Sequence, residues 1–117
     1  MAAAVFDLDI EQGTDYQAVL TLTDLTPDRQ PVDLTGCQVR AQVRPNHAPG
    51  AGLLHDLAEQ LAITDAAAGQ IMLHIPGDVS SGWDWRVGVY DLEVVDAGGR
   101  PLRLLKGAVR VSPEVTR

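Results

Sequence analysis

Apolar side chains recur at every second position in run after run of this chain, and Gly, Pro, Asp or Asn residues interrupt each run. A period of two puts alternate side chains on opposite faces of an extended backbone, so this patterning commits the chain to half-buried β-strands. Phe6, Leu8 and Ile10 oppose Asp7, Asp9 and Glu11, and Gln12-Gly13-Thr14-Asp15 supplies a turn. Tyr16, Ala18, Leu20 and Leu22 share the next face. Residues 24–36 contain Pro27, Pro31, Gly36 and three aspartates, which predicts a connection that is hairpin-like at Thr26-Pro27-Asp28-Arg29.

Val39, Ala41 and Val43 alternate with Gln38, Arg40, Gln42 and Arg44 up to Pro45. Residues 45–52 form an irregular Pro/Gly/Ala-rich stretch, and 53–60 fit either a helical turn or an edge strand. Residues 61–64 predict a short strand, and 65–69 a turn closed by Gly69. Ile71, Leu73 and Ile75 mark a strand ended by Pro76, and 77–84 fit one helical turn crossing between sheets. In 85–95 the apolar positions shift from odd (Trp85, Val87, Val89) to even (Tyr90, Leu92, Val94), which predicts a bulge near Gly88 to Tyr90. Asp96 to Arg100 reads as a hairpin turn. The last strand, 102–111, also changes phase, from Leu102 and Leu104 to Leu105, Gly107, Val109 and Val111.

Roughly seven short strands without crossover helices predict an all-β domain, a single immunoglobulin-like antiparallel β-sandwich spanning 1–117, with a small β-barrel as the alternative. At 117 residues the chain has the length of one domain. Tyr90, near the start of a late strand, is a candidate tyrosine corner. With Cys37 as its one cysteine the chain has no antibody-type disulfide and no Cys-based zinc site; Cys37 itself is expected to be a small residue buried or half-buried at a strand opening.

Sixteen acids against nine Lys and Arg give a net charge of −7, which disfavours nucleic-acid partners, since these require cations to displace counterions from phosphate. No run approaches the roughly 18 apolar residues of a membrane-spanning helix, so no membrane partner is expected. The first residues lack a basic stretch before Asp7, so no signal peptide is expected either. The charge is uneven: residues 1–35 carry seven acids and one arginine, a net −6, whereas residues 98–117 carry a net +4. Such complementary ends either pair within one sandwich, where first and last strands are often neighbours, or steer one copy onto another.

No catalytic constellation emerges. His47, His55 and His74 lack ligand or triad spacing and are expected at the surface; Ser80, Ser81 and Ser112 lie in no nucleophile elbow. Asp7, Asp9 and Glu11 stand too far apart along a strand to share a calcium ion and are expected to be a solvated face. No metal or cofactor is expected. The candidate contact residues are Arg40 and Arg44 on a wet strand face, Arg103, Lys106 and Arg110 in the basic end, one or both of Trp83 and Trp85, and the 45–59 loop. Trp83, Trp85 and Tyr90 beside acids also suggest a second function, a sugar-stacking carbohydrate-binding module.

Several segments resemble small virion proteins of tailed bacteriophages and prophages found among tail, baseplate and fibre components. They are Ile10 to Tyr16, Asp33-Leu34-Thr35-Gly36 leading into the Val39–Arg44 strand, and Ile63-Thr64-Asp65 with Gly69-Gln70-Ile71. Val89 to Glu93 and Arg103 through Arg117 complete the set, the last of these being the most specific. The resemblance covers most of the chain. It implies an immunoglobulin-like structural or adaptor subunit, made in the bacterial cytoplasm and placed in the virion tail. That subunit would contact copies of itself and other tail or fibre proteins, and no catalytic residues carry over. Lys106 departs from the family, which has an acid there, and the 45–52 stretch is more Pro-rich.

Overall fold

The computed structural model describes residues 3–24 and 27–116. Among them the strands are β1 (Ala4–Val5), β2 (Leu8–Glu11), β3 (Tyr16–Thr21), β4 (Gln38–Arg44), β5 (His55–Asp56), β6 (Leu61–Asp65), β7 (Gln70–Ile75), β8 (Val87–Val95) and β9 (Pro101–Ser112). A 3-10 turn covers Ala58–Gln60 and a single helical turn, α1, covers Gly77–Ser80. Segment 53–60 therefore combines both forms that its sequence allowed. Thr26, part of the expected hairpin tip, lies outside the described residues; its flanks do pair, Asp24 N–H donating to Gln30 O and Val32 N–H to Leu22 O.

The strands form two sheets, one of six strands in the order β1-β9-β8-β4-β5 with β2 also on β9, and one of three in the order β3-β7-β6. They do not close into a barrel, and the arrangement is sandwich-like. Leu8, Ile10, Ala41, Val43, Leu92, Val94, Val109 and Val111 of the large sheet are buried, as are Ile71, Leu73 and Ile75 of the small one. Leu22, Leu34 and Leu57 complete the core from the connections. Each such aliphatic side chain contributes about 1.5–3 kcal/mol on burial, so the alternating runs supply the main driving force.

Antiparallel pairing throughout was expected, and the structure corrects it at one seam. Both N-terminal strands run parallel to the C-terminal strand, with Ala4 opposite Leu105 and Leu8 through Glu11 opposite Val109 through Ser112. Alternation fixes which face a side chain takes, but neither the partner nor the direction of a strand. Three features hold the seam where its ladder breaks between Val5 and Leu8. Asp7 Oδ1 accepts the N–H of Ala108 at 2.9 Å. The Tyr90 hydroxyl donates to Phe6 O at 2.5 Å. Gly107 has no side chain, which is required there because a Cβ would collide with the Phe6 carbonyl. Tyr90 is thus not a corner bonding a few residues upstream, as expected; it ties a late strand to residue 6.

The bulge expected in 88–90 is also corrected. Gly88, Tyr90, Leu92 and Val94 of β8 are all buried and keep one phase. The register shift lies on β9, where Leu92 opposes Leu105 but Glu93 opposes Arg103, leaving Leu104 as the extra residue. The phase change read in the last strand is that bulge, with Leu104 and Leu105 both buried.

At one end of the sandwich the 12–15 turn docks on α1. Gln12 Nε2 donates to Trp83 O at 2.9 Å and its Oε1 accepts the Glu114 N–H at 3.1 Å. The Ser80 hydroxyl, fully buried, accepts the N–H of Gly13. Asp15 Oδ1 accepts the N–H of Gly77.

Removing the hydroxyl in Tyr90→Phe leaves the Phe6 carbonyl without that donor and is expected to lower unfolding free energy by about 1–2 kcal/mol. Gly107→Val, which forces backbone apart, is expected to lower it further. Urea titration of the two variants against the parent measures both.

Candidate interaction surface

The alternation that fills the core leaves the other side of β4, β8 and β9 facing outward, and the pairing registers turn it into cross-strand rows. Arg40 opposes Glu93, which opposes Arg103. Asp56 opposes Gln42, Gln42 opposes Asp91, and Asp91 opposes Lys106. Arg44 opposes Val89. Four of the predicted contact residues, Arg40, Arg44, Arg103 and Lys106, are therefore brought to one face.

The charges on this face are mostly engaged. Arg40 Nη2 lies 2.9 Å from Glu93 Oε2, and Arg103 Nη1 lies 3.5 Å from Asp91 Oδ2 on a diagonal. Gln42 bridges Asp56 and Arg44, donating to the first and accepting from the second. Arg44 also donates to Ala51 O at 2.9 Å, which fastens the 45–52 loop to the sheet rim. Beside it a shallow groove of about 410 Å³ runs between His47, Pro49, Arg44, Tyr90 and Lys106. Lys106 has no ion-pair partner among the described residues, so its ammonium is available in that groove.

Arg110 sits apart from this group, on the seam. Its guanidinium lies 2.7 Å from Asp9 Oδ1 and 3.4 Å from Asp7 Oδ2. The hydrogen bond from Arg110 holds the Asp9 carboxyl below its usual pKa and raises that of the arginine. The complementary ends of the chain therefore pair, at Arg110, within one molecule. Asp7 and Asp9, read as a solvated face, are half of that pairing.

The tryptophans lie just before β8 and are packed rather than presented as an exposed anchor. Trp83 is 8% exposed and stacks on Trp85 with ring centroids 4.7 Å apart. Trp85 is half-buried, and its indole N–H has no partner among the described groups. Tyr90 is buried too, and burial pushes its phenol pKa well up. The three rings proposed for sugar stacking are thus packed into the core or against its edge.

The histidines scatter. His47 is exposed, but His55, expected at the surface, is half-buried, its ring centroid 5.1 Å from that of Trp83 and its Nε2 2.9 Å from Gln60 Oε1. His74 lies on the outside of the small sheet, 3.9 Å from Asp15 Oδ2, too long for a hydrogen bond. No group of three or more His, Cys, Asp or Glu among the described residues is placed to hold a metal ion. Cys37 is half-buried immediately before β4.

No protein-family model matches the chain, and no curated protein matches its sequence.

Two measurements follow from this geometry. The carboxyls of Asp9, Asp33 and Asp96 are all held low, by Arg110, by the Thr35 hydroxyl and by the Arg100 backbone N–H respectively. A folded-state pKa below the unfolded value near 3.9 stabilises the fold above that pH, and the gain is lost as pH falls through the folded values. Denaturation midpoints are therefore expected to drop below about pH 4, with a shallower drop in Arg110→Gln. Trp83→Ala is expected to cost about 3–5 kcal/mol of stability, measurable by chemical denaturation, as suits a core residue.

Proposed function

We propose that this chain is a non-enzymatic structural or adaptor subunit of a phage or prophage tail, baseplate or fibre-attachment region, and that it works by protein-protein assembly. The observation that carries the reading is the outer face of the large sheet. There Arg40, Arg44, Arg103 and Lys106 converge with Asp56, Asp91 and Glu93 beside a loop tethered at the rim. A flat face with charges in fixed rows suits recognition of another protein surface, since such patterns select partner and register. Exposed ion pairs of this kind contribute under about 1 kcal/mol each to folding, so stability alone gives them little purpose.

The finer architecture we assign is immunoglobulin-like. In that scheme B, E and D adjoin in one sheet and C, F and G in the other, with an added C′ beside C. The orders β3-β7-β6 and β5-β4-β8-β9 match those neighbours.

The test is mass spectrometry of purified virions from the source lysogen. The chain is expected in particles at a fixed copy ratio to tail proteins, and Lys106→Glu combined with Arg103→Glu is expected to reduce its incorporation at least about tenfold. Particles that form without the chain, and never contain it, would sink the proposal.

A further inference from the structure

Among the described residues the two sheets have four open backbone edges, and three of these carry the devices by which proteins discourage strand addition. The β1/β2 edge is interrupted at Phe6–Asp7 and carries Asp7, Asp9 and Glu11. β5, on the opposite rim of the large sheet, is only two residues long. β6 has a register shift between Ile63 and Asp65 and ends in an acid. The fourth, β3, has none of these. It is six residues, Tyr16-Gln17-Ala18-Val19-Leu20-Thr21, without charge, proline or register shift, paired with β7 in unbroken register.

The free side of β3 can be specified residue by residue. Leu22 N–H donates to Gly69 O at 2.8 Å, one step beyond the Thr21–Gln70 pair. Hydrogen-bonding direction alternates along a strand, so Leu20, Ala18 and Tyr16 also turn their backbone groups to β7. Gln17, Val19 and Thr21 turn theirs away, and among the described residues no strand pairs with that side. In the ABED arrangement of a two-sheet sandwich the first strand fills this position; here it is committed to β9.

We infer that the β3 edge is a self-association site taking β3 of a second copy, antiparallel about a two-fold axis through Val19. The inference deepens the assembly proposal and rests on it, but it uses a different surface. A second copy is the occupant favoured by the sequence of the edge itself. Antiparallel pairing centred on Val19 sets valine against valine and each Gln17 against a Thr21, an amide against a hydroxyl, so the strand is its own complement. Copies of net charge −7 repel in general, and this edge lets them meet without apposing charged side chains. Of the nearby acids, Asp9 is held by Arg110, and Asp15, next to Tyr16, accepts the N–H of Gly77. Val19 is 62% exposed, and against its twin it would lose much of that apolar exposure. The product is a continuous six-stranded sheet of the order β6-β7-β3-β3-β7-β6.

Sedimentation velocity of the purified chain from ~10 µM to ~1 mM covers the affinities a short strand pair could give. A concentration-dependent dimer is expected. Val19→Lys places two ammonium groups opposite each other and is expected to weaken that dimer at least about tenfold, with an unchanged thermal midpoint showing that the monomer still folds. In a Cys37→Ser background, Val19→Cys is expected to form an interchain disulfide on mild oxidation, since directly opposed residues have Cα atoms about 5.5 Å apart. Ile63→Cys on the β6 edge is expected not to. A chain that stays monomeric throughout overturns the inference, as does a dimer that survives Val19→Lys or is cross-linked through Ile63→Cys. If such a monomer is still found in virions, the assembly proposal stands and only the β3 edge is lost; absence from virions with a Val19-dependent dimer is the reverse case.

Discussion

The parallel pairing of the two ends of the chain decides what the rest of the sandwich can do. β1 and β2 lie along β9, with Phe6 N–H donating to Lys106 O and Gln12 N–H to Ser112 O at 2.9 Å each. By taking that place they cover the β9 edge of the large sheet and leave β3 at the rim of the small one. A parallel pair of this separation closes nearly the whole chain into a loop, so its entropy must be offset by contacts formed together. Leu8 and Ile10 supply burial, Asp7 supplies an acceptor where the backbone ladder breaks, and Tyr90 and Gly107 fit the Phe6 carbonyl.

The same seam reinterprets the charge pattern. The acidic start and basic end suggested either an internal pair or a contact between copies, and Arg110 resolves toward the internal one because Asp7 and Asp9 occupy its guanidinium. Arg103 and Lys106 belong to the same basic end, but although the Lys106 backbone pairs in the seam, both residues are registered against acids of β8. There Arg103 meets Asp91, and Lys106, registered against the same aspartate, has no ion pair among the described residues. Arg110 differs from Arg103 and Lys106 in the strand its side chain engages, β2 on the seam, and not in the face of β9 it occupies.

Much of this was legible in the sequence wherever one physical signal had one reading. β4 and β7 follow their alternation residue for residue, and Gly69 takes the positive φ its turn requires. The phase change in β9 marks a true bulge at Leu104. The similar change in 85–95 does not, because Val87 and Val89 are apolar residues on the outward side of a continuous strand, Val87 being 64% exposed. Alternation reports hydrophobicity, and β-branched residues favour strands on either face. Among the contact candidates, Arg40 and Arg44 were legible as wet-face cations and Arg103 and Lys106 as part of a basic end, but their convergence depended on registers that no local pattern encodes. Which of Trp83 and Trp85 is the core residue needed tertiary information, since Trp83 is buried against Trp85 and His55. Gln12 looks like an ordinary turn residue, yet its amide joins the 12–15 turn, the segment after α1 and the C-terminal tail.

The two outer faces differ in chemistry, and this separates two kinds of contact. On the large sheet, paired charges hold much of their Coulomb energy within the molecule, so a partner gains little by touching them unless it matches their order. Such a face discriminates more than it binds. On the small sheet, Val19, Met72 and Ala62 lie in one cross-strand row, flanked by Gln17 and His74 on one side and by Thr21, Gln70 and, at the far β6 edge, Asp65 on the other. Backbone pairing at its β3 edge supplies direction and register whatever the side chains. A chain that gathers paired charges on the large sheet and keeps the open β3 edge of the small one uncharged can join copies of itself through backbone while reserving side-chain recognition for a different protein. The two contacts would not compete for the same residues.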